Sequence, residues 1–239
     1  MVARIAVPSV DAKADYVSVF IINITQALDI SKICPHTPNM TLADKVTSAR
    51  LLLAPAFFVV YLLPEILPSL FELPGGGLQG GAVWSVPVLW AIFLVSEITD
   101  MLDGMIARKR AEVSDFGRFF DPFADTLTQV SYFLCFIIDG ILPPILFLAV
   151  LYREFSMLFL RNLMLRKGIA QGARFSGKIK TVIYILAGAL ALLASSVVRL
   201  GFDGELFRWL VISARAIFAL SVIISIVSFI DYVQVYRKL

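Results

Sequence analysis

The chain has 239 residues, of which 59% are hydrophobic and 16% charged, with a mean hydropathy of +0.86 and a formal net charge of +3. Such values exclude a soluble globular domain, and the scatter of the basic residues into short clusters excludes a nucleic-acid footprint. Two cysteines in unlike settings, Cys34 and Cys135, and a single histidine, His36, provide neither a disulfide framework nor a soft metal site.

In chain order, residues 1–39 form an N-terminal extension to a domain spanning 40–239. Val17, Phe20, Ile21, Ile24 and Leu28 fall at helical spacing on one face. That pattern predicts an amphipathic helix, lying in a membrane interface or packed on the protein's own surface. Asn23, Gln26 and Asp29 interrupt its apolar stretch, so it does not read as a cleaved signal peptide.

A membrane-spanning helix needs about 20 mostly apolar residues. Six such stretches can be read, at about 47–71, 83–107, 117–138, 141–165, 178–199 and 215–235. The predicted fold is therefore all-α, a polytopic membrane protein with six transmembrane helices. Pro64, Pro68, Pro74 and five glycines mark a loop from Pro64 to Gly81. Asp139 and Gly140 followed by Pro143 and Pro144 predict a tight turn that makes the third and fourth helices a hairpin. Arg108, Lys109, Arg110 and Arg118 surround the second connection, while Arg166, Lys167, Arg174, Lys178 and Lys180 surround the fourth. Both are expected on the cytoplasmic side, with both termini.

Four aspartates stand out against this apolar background, because a carboxylate in or beside a membrane helix costs several kcal/mol unless paired or bound to a cation. Asp100 and Asp103 share a face at the end of the second helix, and Asp121 and Asp125 share one at the start of the third. The short connection between these helices makes them antiparallel neighbours whose acidic faces can meet. Four carboxylates around one small volume call for a divalent cation, and an all-oxygen donor set favours Mg²⁺ or Mn²⁺ over zinc. The alternative is helix capping, or pairing with Arg108, Arg110 and Arg118. Gly104, Ala107 and Gly117 leave room for a ligand near the backbone, or serve simple helix packing.

Asp100, Asp103, Gly104, Ala107, Arg108, Gly117, Asp121 and Asp125 fit D-x2-D-G-x2-A-R-x8-G-x3-D-x3-D at every fixed position. This run resembles the signature of the CDP-alcohol phosphatidyltransferases, across roughly residues 40–235. The resemblance implies two metal ions held by Asp100, Asp103 and Asp121, with Asp125 joining the metal site and serving as general base. It places Gly104, Ala107, Arg108, Gly117 and Thr47 around the nucleotide of CDP-diacylglycerol, with Arg50 near Thr47. It also implies a homodimer in the bacterial plasma membrane, its site facing the cytoplasm.

The acceptor is read from Arg153-Glu154, Arg161 and the run Gly177-Lys178-Ile179-Lys180-Thr181, which resemble features of the family's phosphatidylglycerophosphate synthases. Arg153 and Arg161 lie eight apart on similar faces of the fourth helix, with Lys178 and Lys180 opening the fifth. Together with Arg118 they make a basic pocket suited to an anionic acceptor such as glycerol 3-phosphate. Thr126 and Asp44 depart from the synthase pattern, which commonly has Lys and Asn there. Competing readings are a sister transferase acting on inositol phosphate, inositol or serine, and a cation transporter using the acidic cluster as its ion site.

Overall fold

The structure is a computed structural model that describes residues 42–67, 82–110, 115–167, 175–202 and 204–237. Among the described residues six helices follow one another: α1 (Leu42–Ile66), α2 (Ser85–Arg110), α3 (Asp115–Ile138), α4 (Pro144–Arg166), α5 (Phe175–Arg199) and α6 (Glu205–Arg237). No strand occurs among the described residues. The expected N-terminal amphipathic helix and most of the loop after Pro64 lie outside them. Side chains at 42–46, 48–49, 101–110, 115–119, 165–166 and 175–178 also lie outside the described part, although their backbone is helical.

The six apolar stretches become these six helices, with shifts at their ends. The largest is in α6, which begins at Glu205 where hydropathy alone predicts a start near 215. Arg208 and Arg215 lower the local hydropathy without interrupting the backbone, and Arg215 is used within the bundle. Its Nη2 donates to the carbonyl of Gly140 (2.7 Å) and its Nε to that of Ile141 (2.9 Å). This fastens the α3–α4 turn. Gly140 adopts φ 69° there, a conformation that favours glycine, and Pro144 opens α4. The hairpin turn thus forms where Asp139, Gly140 and the two prolines predict it.

Helix α1 packs against both α2 and α3, α4 packs against α3 and α6, and α5 against α6 most extensively. Both helices of that last pair bury small residues completely, Ala187, Ala191 and Ala194 on α5 and Ala214 and Ser221 on α6. Small side chains let helix backbones approach closely where both helices are too apolar for water exclusion to drive them together. Ala187, Ala191 and Ala194 are therefore used inside the chain. Between α1, α2, α3 and α5 the core is aromatic. Phe57 and Tyr132 lie with ring centroids 4.4 Å apart, and Phe93 and Tyr132 at 5.4 Å.

The outer surface is apolar as well: Ile145 is 71% exposed, and Phe159, Val182 and Trp209 are each 65% exposed. An apolar exterior of this extent is the chemistry of a lipid-facing surface. The segments Ile179–Arg199 and Glu205–Arg237 are each long and apolar enough to cross a membrane.

A polar cluster joins α1, α2 and α5 at the end of the bundle that holds the α3–α4 turn. Arg199 donates to Ser195 Oγ (3.1 Å), Ser85 Oγ (3.0 Å) and the Tyr61 carbonyl (3.0 Å). The Tyr61 hydroxyl donates to Asp139 and lies 2.8 Å from Ser195 Oγ.

At Gly188 an added Cβ would lie 3.3 Å from Cε2 of Phe93. Gly188→Leu is therefore expected to force α5 from α2 and to destabilise the protein by about 1–3 kcal/mol. Thermal unfolding in detergent, with Ala189→Leu on the partly buried neighbouring position for comparison, measures it.

Candidate active site

Thr47 and Arg50 lie three residues apart on α1, and so share a face. Both are buried, at 1% and 2% exposure. The Thr47 hydroxyl donates to Asp121 Oδ1 at 2.9 Å. Arg50 reaches across two helices: its Nη1 donates to Asp100 Oδ1 of α2 at 2.6 Å and also to Asp125 Oδ1 of α3. Asp121 and Asp125, four apart near the start of α3, are thus both met by α1, and Asp100 and Asp125 share the guanidinium. A buried cation bonded to two carboxylates offsets the repulsion that would otherwise oppose their approach.

The sequence predicts that the acidic faces of the second and third helices can meet, and Asp100 and Asp125 do lie side by side. The structure adds Arg50, which bonds to both because α1 packs against both helices. Arg50 was legible only as a residue near the nucleotide or at the membrane interface. Among the described residues no three His, Cys, Asp or Glu side chains gather as a metal-binding group. The backbone of Asp103, Gly104, Ala107, Arg108, Gly117 and Arg118 is helical, and their side chains lie outside the described part.

The donor chemistry nevertheless suits a hard cation. Asp100 and Asp125 supply carboxylate oxygens that already converge on one positively charged nitrogen. Their side chains remain 39% and 37% exposed, while that of Arg50 is 3% exposed. They are open on the side away from the guanidinium.

That side is a cavity of about 170 Å³. Asp100 and Asp125 contribute to its lining, as do Arg153, Glu154, Arg161 and Lys180. The basic residues read from α4 and α5 therefore face the same space as the acidic pair, except Lys178, whose side chain is not described. Arg161 has no ion-pair partner among the described residues. Arg153 and Lys180 do: Arg153 Nη1 lies 2.9 Å from both oxygens of Glu154, and Lys180 Nζ lies 2.9 and 3.0 Å from them. Glu154 appears in the sequence only as part of a motif. A carboxylate within an apolar helix was the signal that could have singled it out.

Comparison with known proteins adds to this geometry. A family model described as CDP-alcohol phosphatidyltransferase matches residues 40–227. The chain is 35% identical over 198 residues to the CDP-diacylglycerol–glycerol-3-phosphate 3-phosphatidyltransferase of Treponema pallidum, covering 82% of this chain and 89% of that protein. It is 32% identical over 156 residues to the Bacillus subtilis protein of the same name, covering 64% and 76%.

Replacing Arg50 by Met keeps the stem and removes the charge, leaving Asp100 and Asp125 facing each other. The variant should lose about 2 kcal/mol of stability or more, less than a fully buried pair would because both carboxylates are partly exposed. Adding Asp125→Asn to it should restore part of the loss. A thermal shift of the single variant no larger than that of Asp125→Asn alone would refute the bridging role.

Proposed function

The chain belongs to the CDP-alcohol phosphatidyltransferase family, and from that membership we propose that it transfers the phosphatidyl group of CDP-diacylglycerol to sn-glycerol 3-phosphate. The products are phosphatidylglycerol phosphate and CMP. One observation carries the reading: a single cavity is lined by Asp100 and Asp125 from α2 and α3 and by Arg153, Arg161 and Lys180, grouped around Glu154, from α4 and α5. The carboxylate side suits a cation-assisted pyrophosphate, and the basic side suits an acceptor that is itself a phosphate ester. A transporter reading explains the acidic residues but gives the basic wall no task.

In this reading Asp100, Asp103, Asp121 and Asp125 would hold Mg²⁺ or Mn²⁺, as two ions, which would supply electrostatic stabilisation of the charge that develops on the departing CMP. Arg153, Arg161 and Lys180 bind the acceptor's phosphate, together with Lys178 and Arg118, and leave its hydroxyl free to approach the donor. Asp125 accepts the hydroxyl proton as the new oxygen–phosphorus bond forms and the bond to the CMP oxygen breaks. Gly104, Ala107, Arg108, Gly117 and Thr47 surround the nucleotide. Thr47 contributes through Asp121, whose carboxylate its hydroxyl holds in place.

All six helices cross the membrane in this proposal, with the cavity at the cytoplasmic face beside the basic connections after α2 and α4. Such placement gives the cavity access to a lipid donor from the bilayer and to a water-soluble acceptor.

Detergent-purified protein given CDP-diacylglycerol, glycerol 3-phosphate and Mg²⁺ should release CMP, and EDTA should stop it. Silence with glycerol 3-phosphate but turnover with inositol phosphate, inositol or serine would overturn the acceptor. Asp100→Asn should lower kcat by about a thousandfold, the loss of several kcal/mol of charge stabilisation. Retention of near-normal turnover would remove Asp100 from the metal site. Arg161→Ala is expected to raise KM for glycerol 3-phosphate about tenfold or more while leaving KM for the donor within about twofold.

A further inference from the structure

Away from the acidic pair, buried charge is concentrated around Glu154. It is 4% exposed and Arg153 is 7% exposed. Three helices meet here. Arg153 and Glu154 come from α4, Lys180 and Tyr184 from α5, and Ser225 from α6, whose carbonyl accepts from Arg153 Nε at 3.0 Å. The Tyr184 hydroxyl lies 3.2 Å from Glu154 Oε1 and 3.1 Å from Ser225 Oγ.

One cation would neutralise Glu154, yet two are bound to it. A buried cluster with an uncompensated positive charge is costly unless an anion joins it. Arg161, on the same cavity, adds a further positive charge. Counting donors shows what remains for such an anion. A guanidinium has five N–H groups and an ammonium three. Glu154 engages Nη1 of Arg153, Ser225 engages Nε, and two contacts from Lys180 also go to Glu154. Nη2 of Arg153 and one N–H of Lys180 are left. Because Glu154 fixes the two side chains, it also fixes where those donors stand.

We propose that Glu154 is a positioning residue for the acceptor's phosphate, holding Arg153 and Lys180 in the arrangement that completes its charge and hydrogen bonding with a phosphate dianion. The inference rests on the acceptor reading above and deepens it. Glu154 lowers the positive charge of the pocket, so a pocket that worked by charge alone would bind the acceptor better without it. A positioned pocket binds it worse. Gln at 154 would present one acceptor oxygen, and an amide N–H₂ turned toward donors, so one cation must move away.

The test is the kinetics of Glu154→Gln in detergent, with glycerol 3-phosphate and CDP-diacylglycerol varied in turn, alongside thermal stability. The expected result is a rise in KM for glycerol 3-phosphate of about tenfold or more, with KM for the donor and the Mg²⁺ requirement little changed. The protection of the protein against heat by glycerol 3-phosphate should weaken in parallel. An unchanged or lower acceptor KM, or a fall in stability and kcat with both KM values intact, would overturn the proposal. If Glu154→Gln does not fold, Tyr184→Phe removes only the hydroxyl beside Glu154 and should raise the acceptor KM severalfold. No rise there would equally overturn it. Should the wild-type protein prefer another phosphorylated alcohol, the acceptor assignment fails separately, and the variants are measured with that alcohol.

Discussion

A carboxylate carried into an apolar helix bundle must be met there by a donor, and the donor has to come from a neighbour that the fold brings close. Asp100 and Asp125 are met by Arg50, Asp121 by Thr47, Asp139 by Tyr61, and Glu154 by Lys180 as well as Arg153. In each case at least one partner lies on another helix. Arg199 bonded to Ser85 and Tyr61, and Trp90 bonded to Ser196, add further polar contacts to seams that elsewhere are packed by small and aromatic residues, so such contacts supply the directional bonding between helices. The residues that give the cavity its chemistry are therefore also residues that hold its walls together.

This double duty explains how much could be read from the sequence. Hydropathy locates six helices because each is a long apolar run. It misplaces the start of α6 because Arg208 and Arg215 resemble the end of a span, while Arg215 is in fact bonded to the α3–α4 turn. The spacing of Asp121 and Asp125 reveals a shared helix face, a local property. That Arg50 bonds to both Asp100 and Asp125 depends on α1 packing against two helices distant in sequence, and no local pattern carries that information.

The same limit applies to the basic wall. Arg153, Arg161 and Lys180 are legible as cations at helical spacing. Their division into two that share a carboxylate and one with no ion-pair partner among the described residues emerges only when α4 and α5 come together. Family membership adds the chemical setting, a nucleotide-activated lipid and an alcohol, and the cavity's two unlike walls give that setting a place in this chain.

The polar contacts just described on α1, α3 and α5 fall in two groups, one toward each end of the helices. On α1 they are at Thr47 and Arg50, then at Tyr61. On α5 they are at Lys180 and Tyr184, then at Ser195 and Arg199. Helix α3 presents Asp121 and Asp125 near its start and leads into Asp139 at the other end. Smooth apolar surfaces tolerate sliding, but a helix displaced along its axis by one turn, about 5.4 Å, would lose its partners at both levels at once. The bundle thus carries an axial scale marked at two points, and the depth at which the acidic and basic walls face each other is set by bonds at both ends of the helices.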